Sequence, residues 1–439
     1  MLNNYRPISI LPIISKIIER FVNKQLITFL DKYDIIYRNQ YGFRKSYSTK
    51  LALVDLVTEI INDIDKGNFT LGIFLDLTKA FDTINHNILL SKLRFYGIRG
   101  IPFNWFQSYL TNRRQFVHAY GYNSSTLHLN YGVPQGSILG PLLFLIYIND
   151  IPSSSNYFNF KLFADDSNLF HSFASKTFPT LETETNIEKV NNWCLANKLT
   201  INNEKTNYMI FSSARKNLTY KPVLHFNNNV MKQVQCTTYL GLTIDQHLTW
   251  KPHIKKVLSK INPLIGLLAK LRHYLPKATL VLLYNSLILP HLSYGLESWG
   301  STYNTTLDPL YRQQKKLVRI ISFKDRLTHS RPLFNSLGIL DIFDQFKYQL
   351  ATFMHDLTLH KLPRDLQHYS FSNPNHTYST RTSATSNFTI PLFKTNLGQF
   401  SITYCGSKLW NSIPANIKSI TCRFTFKRTF RNYLMSLYF

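Results

Sequence analysis

Acidic side chains are scarce in this chain: 24 Asp and Glu stand against 50 Lys and Arg in 439 residues, for a net charge of +26 and a pI near 9.8. The deficit is uneven. Residues 1–200 hold 20 basic and 15 acidic side chains, residues 201–439 hold 30 and 9, and none is acidic after Asp365. Such a field calls for a polyanion, either nucleic acid or an anionic membrane surface. Cysteine is scarce too. Cys194, Cys236, Cys405 and Cys422 show no CxxC or Cys/His spacing, which excludes a zinc module and a disulfide framework and reads as reduced core thiols. Long apolar runs are also missing. The longest, Leu142 to Ile148, is far too short to span a bilayer, and Arg6-Pro7 interrupts any signal-peptide pattern. Nucleic acid is therefore the favoured partner and an intracellular location the expectation. What is abundant is core material: 44% hydrophobic and 17% charged residues exclude disorder as the main state and suffice for two or three packed domains.

Periodicity divides the chain. Ile13, Ile14, Ile17, Ile18, Phe21, Val22, Leu26, Phe29 and Leu30 form a helical stripe, and a second helix is expected from about Leu51 to Ile64, with a polar loop over 40–49 between them. Leu71 to Leu75 is a short buried strand ending at Asp76. Helices follow at 87–96 and 103–111, then a hairpin around Gly121 to Ser125 and a glycine-proline loop, 132–137, that opens the apolar segment 142–148. Phe160 to Ala164 and Asn168 to Phe170 read as strands joined by a tight turn at Asp165-Asp166-Ser167. A helix at 180–197 and a strand at 208–211 complete an α+β mixture with antiparallel character. Beyond it, 251–290 and 307–321 read as helices with exposed lysines. Ser370 to Thr389 reads as a linker before a basic C-terminal segment.

The carboxylates carry the chemistry. Asp76 ends a strand, and Asp165 and Asp166 stand in a turn; if the strands are neighbours, three carboxylates converge, which raises their pKa values or demands a divalent cation. Oxygen-only ligation suits Mg²⁺, and a pair of such ions suits phosphoryl transfer. Singly these residues have blander readings: Asp-Asp is a common turn dipeptide, and Asp76 or Asp82 could cap the helix after Asn85.

Together the motifs resemble those of reverse transcriptases. Phe74-Leu75-Asp76-Leu77-Thr78-Lys79-Ala80-Phe81-Asp82, Pro134-Gln135-Gly136-Ser137-Ile138-Leu139-Gly140-Pro141 and Phe163-Ala164-Asp165-Asp166 are similar to three polymerase palm motifs. Asn4-Tyr5-Arg6-Pro7-Ile8-Ser9-Ile10-Leu11-Pro12, Gln40-Tyr41-Gly42-Phe43-Arg44, Trp193 to Thr206 and Tyr239-Leu240-Gly241 resemble further motifs of the non-LTR (LINE-type) retrotransposon enzymes, in the same order. The resemblance implies a right-hand polymerase of the α+β class, with fingers and an antiparallel palm over 1–245, a mainly helical thumb-like region over 246–369 and a basic C-terminal segment over 370–439. It implies two Mg²⁺ held by Asp76, Asp165 and Asp166, with the Leu77 carbonyl a further ligand. Phe81 becomes the gate against a 2′-hydroxyl, Gln135 and Gly136 the nucleotide pocket, Arg44 a triphosphate contact, Lys205 the acid that protonates pyrophosphate, and Tyr239, Leu240 and Gly241 the primer grip. Core packing for Phe81, an ion-paired surface position for Arg44, a solvated lysine for Lys205 and a plain strand and turn for 239–241 stay open beside these roles.

The implied partners are an RNA template, a DNA primer and deoxynucleoside triphosphates, and the nucleus is the implied site of retrotransposition. The chain opens directly on Asn4-Tyr5-Arg6-Pro7, without the further fingers segment and endonuclease domain usual in relatives, which leaves an endonuclease to act in trans. It also motivates a second reading, an inactive element remnant that binds nucleic acid. Gly406 to Pro414, around Trp410, resembles a segment found near the end of many such elements, with packing into a small C-terminal core its default role.

Overall fold

A computed structural model describes residues 8–227, 229–363 and 387–438. Asn4 to Pro7 of the opening motif, and all of the expected linker up to residue 386, lie outside the described residues. The chain opens with α1 (Ile13–Lys32) and α2 (Thr49–Asp65). Ser48 starts α2 by accepting the Leu51 N–H, and its apolar sides are buried along most of the helix. In α1 the stripe divides: Leu26 and Leu30 are buried, whereas Ile13, Ile14, Ile17 and Phe21 are exposed.

Strand β1 (Phe69–Leu75) is buried throughout and begins two residues before the expected start. Then come α3 (His86–Phe95), α4 (Ile101–Leu110) and four two-residue exposed strands: β2 (Arg114–Gln115), β3 (His118–Ala119), β4 (Tyr122–Asn123) and β5 (Leu127–His128). The hairpin turn is Tyr120-Gly121, both at positive φ, rather than the expected 121–125. Helix α5 (Gly140–Ile148) is apolar all round because it is buried all round. Strands β6 (Asn159–Phe163) and β7 (Asp166–Phe173), helix α6 (Thr180–Ala196) and strand β8 (Asn207–Phe211) follow, then β9 (His225–Phe226), β10 (Asn229–Val230), β11 (Lys232–Gln233), β12 (Cys236–Tyr239) and β13 (Leu242–Asp245).

The main sheet runs β11-β8-β1-β7-β6, with β1 antiparallel to both β7 and β8. Alternation along β1 gives the sheet two buried faces. Phe69, Leu71, Ile73 and Leu75 pack with α3 to α6, while Phe74 joins Phe170 and Phe211 against α2 and the helices beyond residue 250. Gly72 makes that second face possible, since a Cβ there would lie 2.9 Å from the Phe170 ring and 3.0 Å from that of Phe211. Across the sheet edge, Lys161 of β6 is buried against Asp55 and Glu59 of α2.

The expected helix over 251–290 is broken into α7 (Lys251–Leu271), α8 (Lys277–Leu283), a π turn at Tyr284–Ile288 and α9 (Leu289–Ser293). Then follow α10 (Leu296–Trp299), α11 (Asn304–Ile321), α12 (Ser330–Leu337), α13 (Ile342–Thr358), α14 (Ile402–Ser412), α15 (Ala415–Lys418) and α16 (Arg423–Ser436). Trp410 is buried, but not in a separate core: α14 and α16 pack on α13, and Trp410 belongs to the same apolar cluster as α2 and α7. The four cysteines are free, and only Cys194 is a buried core thiol; Cys236 and Cys422 are exposed. Among the described residues no helix is long and apolar enough to cross a membrane.

Candidate active site

Register brings the carboxylates together. Leu75 pairs with Ser167, so Asp76, the next residue, stands beside Asp166, which pairs with Phe163 at the mouth of the β6–β7 hairpin. The turn is Ala164-Asp165, not the expected Asp165-Asp166-Ser167. Asp166 opens β7 and Ser167 is buried in the sheet. Ala164 takes φ +54, a left-handed conformation unusual for a residue with a Cβ. Asp165 is half-buried and Asp166 exposed.

A second segment closes over Asp76. Its carbonyl accepts the Asn202 N–H at 2.8 Å, and Thr78 N–H donates to the Thr200 carbonyl at 2.8 Å; the ladder flanks Leu77, whose own carbonyl takes no part in it. Thr206 Oγ1 accepts the Asp76 N–H at 3.4 Å. The same segment carries Lys205, whose Nζ lies 3.6 Å from Asp76 Oδ2. Among the described residues no group of three or more Asp, Glu, His or Cys side chains is gathered as a ready metal cage. The ammonium of Lys205 supplies positive charge at Asp76 instead.

Three loops meet around Phe81 and Asp82. Phe81 stacks on Phe144 of α5 with centroids 4.6 Å apart and meets Phe43 edge-on at 6.2 Å, so its ring is held from two sides and stays half-exposed. Packing and gating readings of Phe81 are thus compatible. Gln135 Nε2 donates to Asp82 Oδ1 at 2.8 Å, and its carbonyl accepts the Ser9 N–H at 2.7 Å. Gly136, at φ +110, lies where a Cβ would be 3.0 Å from the Ser9 carbonyl oxygen, so glycine is needed for both conformation and approach. Asn85, not Asp76 or Asp82, caps α3 by accepting the Ile88 N–H.

Two expectations change. Among the described residues Arg44 is paired to no acid: its Nη1 donates to the carbonyls of Tyr37, Arg38 and Gln40, and its guanidinium lies 4.1 Å above the Tyr47 ring. Tyr239 is 3% exposed and its hydroxyl is buried without a partner among the described residues, so its side chain packs against Phe74 beneath the sheet. Burial, reinforced by Asp166, pushes its phenol up. Only the Leu240-Gly241 turn reaches the surface, its Leu240 carbonyl accepting from Tyr294 Oη at 2.6 Å. Composition and periodicity also missed Glu19. It is buried in α1, and its carboxylate accepts the Ile138 and Leu139 N–H groups at the start of α5. An acid inside an apolar helical stripe was the available signal.

A palm sheet whose strand end and adjacent hairpin present three aspartates, flanked by fingers loops and followed by a helical thumb, defines a right-hand polymerase. The chain belongs to the reverse transcriptase (RNA-dependent DNA polymerase) family, whose model matches residues 2–244. It is 26% identical over 365 residues to the "Probable RNA-directed DNA polymerase from transposon X-element" of Drosophila melanogaster, an alignment covering 82% of this chain and 40% of that one. It is 27% identical over 371 residues to the "RNA-directed DNA polymerase from mobile element jockey" of the same organism, with the same coverage. The chain thus spans about 40% of the length of these relatives. Apo telomerase from Candida tropicalis matches 77% of this chain and 58% of its own at 14% identity and a TM-score of 0.39.

Proposed function

We propose that this chain is an RNA-directed DNA polymerase of a non-LTR retrotransposon, adding deoxynucleotides to the 3′-hydroxyl of a DNA primer on an RNA template. The carrying observation is the register that sets Asp76 beside Asp166 at the mouth of the hairpin that bears Asp165. These are oxygen donors only, the set that suits Mg²⁺, and the ammonium lying against Asp76 marks that carboxylate as a seat for a cation. Asp76, Asp165 and Asp166, with the Leu77 carbonyl, would hold two Mg²⁺. When bound, the ions supply charge neutralisation at the attacking and leaving oxygens.

The chain's own residues do the positioning. Gln135, fixed by Asp82, and Gly136 form the wall of the nucleotide pocket, and the clamped Phe81 ring fills the space a 2′-hydroxyl would need. Lys205, on its exposed segment, is the proton donor to departing pyrophosphate once released from Asp76. Arg44 contacts the triphosphate with the guanidinium nitrogens turned away from its loop carbonyls, and the Leu240-Gly241 turn supports the primer end. Work in the nucleus completes the reading.

Primer extension on an RNA template with Mg²⁺ and deoxynucleotides tests it. Extension is expected, and Asp165→Asn with Asp166→Asn should abolish it. Extension that survives the double substitution sinks the assignment, and RNA binding without extension by folded wild-type chain would favour a nucleic-acid-binding remnant.

A further inference from the structure

Gln40 has no part in the chemistry assigned so far, yet it is 1% exposed and lies against the aspartate turn. Its Oε1 accepts two backbone N–H groups, that of Gly42 at 2.9 Å and that of Ala164 at 3.1 Å. Because both partners are donors, the orientation of the amide is settled by the bonds themselves. Its Nε2 is buried with no hydrogen-bond partner among the described residues. Filling the space does not call for an amide, since a methionine has about the same volume; what a methionine would lack is the acceptor for the Gly42 and Ala164 N–H groups.

What the oxygen holds is the strained point of the site. Ala164 is the first residue of the two-residue turn and sits at φ +54, a conformation that persists only where the surroundings impose it. The same loop is fastened to β6 on both sides: Tyr41 N–H donates to the Leu162 carbonyl at 2.8 Å, and Leu162 N–H to the Asn39 carbonyl at 2.9 Å. Gly42 lets the two backbones meet, because a Cβ there would lie 2.4 Å from Ala164 N.

We propose that Gln40 is a positioning residue for the catalytic turn: its side-chain oxygen fixes Ala164, and through it the places from which Asp165 and Asp166 meet a divalent cation. The functional half rests on the polymerase reading; the hydrogen bond does not.

Three variants of the full chain separate the possibilities. Gln40→Met keeps the volume without the acceptor, Gln40→Asn withdraws it by one methylene, and Gln40→Glu keeps an acceptor but buries a carboxyl, which this site tolerates only in its protonated form. Amide hydrogen exchange over residues 160–170 should quicken about tenfold in the Met and Asn variants, the effect of losing one hydrogen bond, and return to the wild-type rate in Gln40→Glu. The half-saturating Mn²⁺ concentration, read by electron paramagnetic resonance, should rise several-fold in the first two, with the nucleotide KM little changed. Unaltered exchange over 160–170 in Gln40→Met, or acceleration spread evenly over the chain, overturns the proposal. If Gln40→Met does not fold, Gln40→Asn decides alone: exchange at the turn no faster than in wild type would defeat it. Wild-type chain that neither binds Mn²⁺ nor extends a primer brings down the polymerase reading, while the exchange data still judge the hydrogen bond.

Discussion

Lys205 and Asp76 form an exposed ion pair at 3.6 Å, and its worth to the fold is small because solvent screens both groups. In the proposed function the pair matters for competition instead, because the ammonium and a divalent cation would want the same carboxylate. Lys205→Ala should therefore leave Tm unchanged and lower the half-saturating Mn²⁺ concentration, while loss of the proton donor cuts kcat roughly a hundredfold. Primer-extension kinetics and Mn²⁺ binding check both halves, and an unchanged kcat would reduce Lys205 to a solvated lysine. Around it, the gathering of three aspartates at one end of the sheet was legible from residue type and position, and the register places them so. Placement was not legible where several partners compete. Arg44 found three loop carbonyls and an aromatic face, and Tyr239 found the interior, because each was decided by neighbours distant in sequence.

At the level of elements, the palm and the helices after it meet at His253, in the first turn of α7. Its Nδ1 accepts the Thr243 N–H of β13 at 3.3 Å, and its ring packs 5.0 Å from that of Trp299. Burial first, then Lys256 and Lys260, push its pKa down to about 4. A histidine held neutral in the fold contributes stability that is present above its unfolded pKa near 6.5 and is lost as pH falls toward 4. That loss amounts to about 3 kcal/mol at most. Thermal melts between pH 7.5 and 4 should show a fall over this window that is shallower in His253→Asn, whose side-chain oxygen can still accept from Thr243. Parallel profiles for the two proteins would remove His253 from the account. The sequence pattern marked α7 as helical but ran it on to residue 290; the break at residues 272–276 and the π turn at Tyr284–Ile288 are packing features with no periodic signature.

For the whole molecule, the excess of +26 is less freely available than its total implies. Many C-terminal cations serve the fold: Arg423 pairs with Asp356, Arg431 donates to the Gly338 carbonyl, Lys427 lies over Tyr348 and Lys418 bonds Asn387 and Asn411. Helix α7 is different. It leaves the palm directly after β13, carries exposed Lys251, Lys255, Lys260 and Lys270, and lies in a stretch with no acidic residue between Asp245 and Glu297. If the proposed function holds, the electrostatic footprint of a bound polyanion belongs on α7. Substituting Lys255→Ala with Lys260→Ala should make the slope of log affinity against log salt shallower by roughly 1.4–1.8, since each phosphate that a lysine neutralises releases close to one counterion. Arg423→Ala should instead lower Tm and leave that slope as it was; a salt titration and a melt distinguish the two.

Local pattern alone determined most of the elements, the order of the motifs and the identity of the three aspartates, because hydrophobic period and motif chemistry are written within a few neighbouring residues. Tertiary structure decided where the hairpin turns, which side of α1 lies exposed, which cysteine is buried, and that Tyr239 packs inside while Gly241 lies exposed. It also decided that Gln40 reaches across 124 positions of chain to hold Ala164. The physical reason is the same in each case: a side chain's partner is chosen by what the fold brings opposite it, and no short window of sequence contains that neighbour.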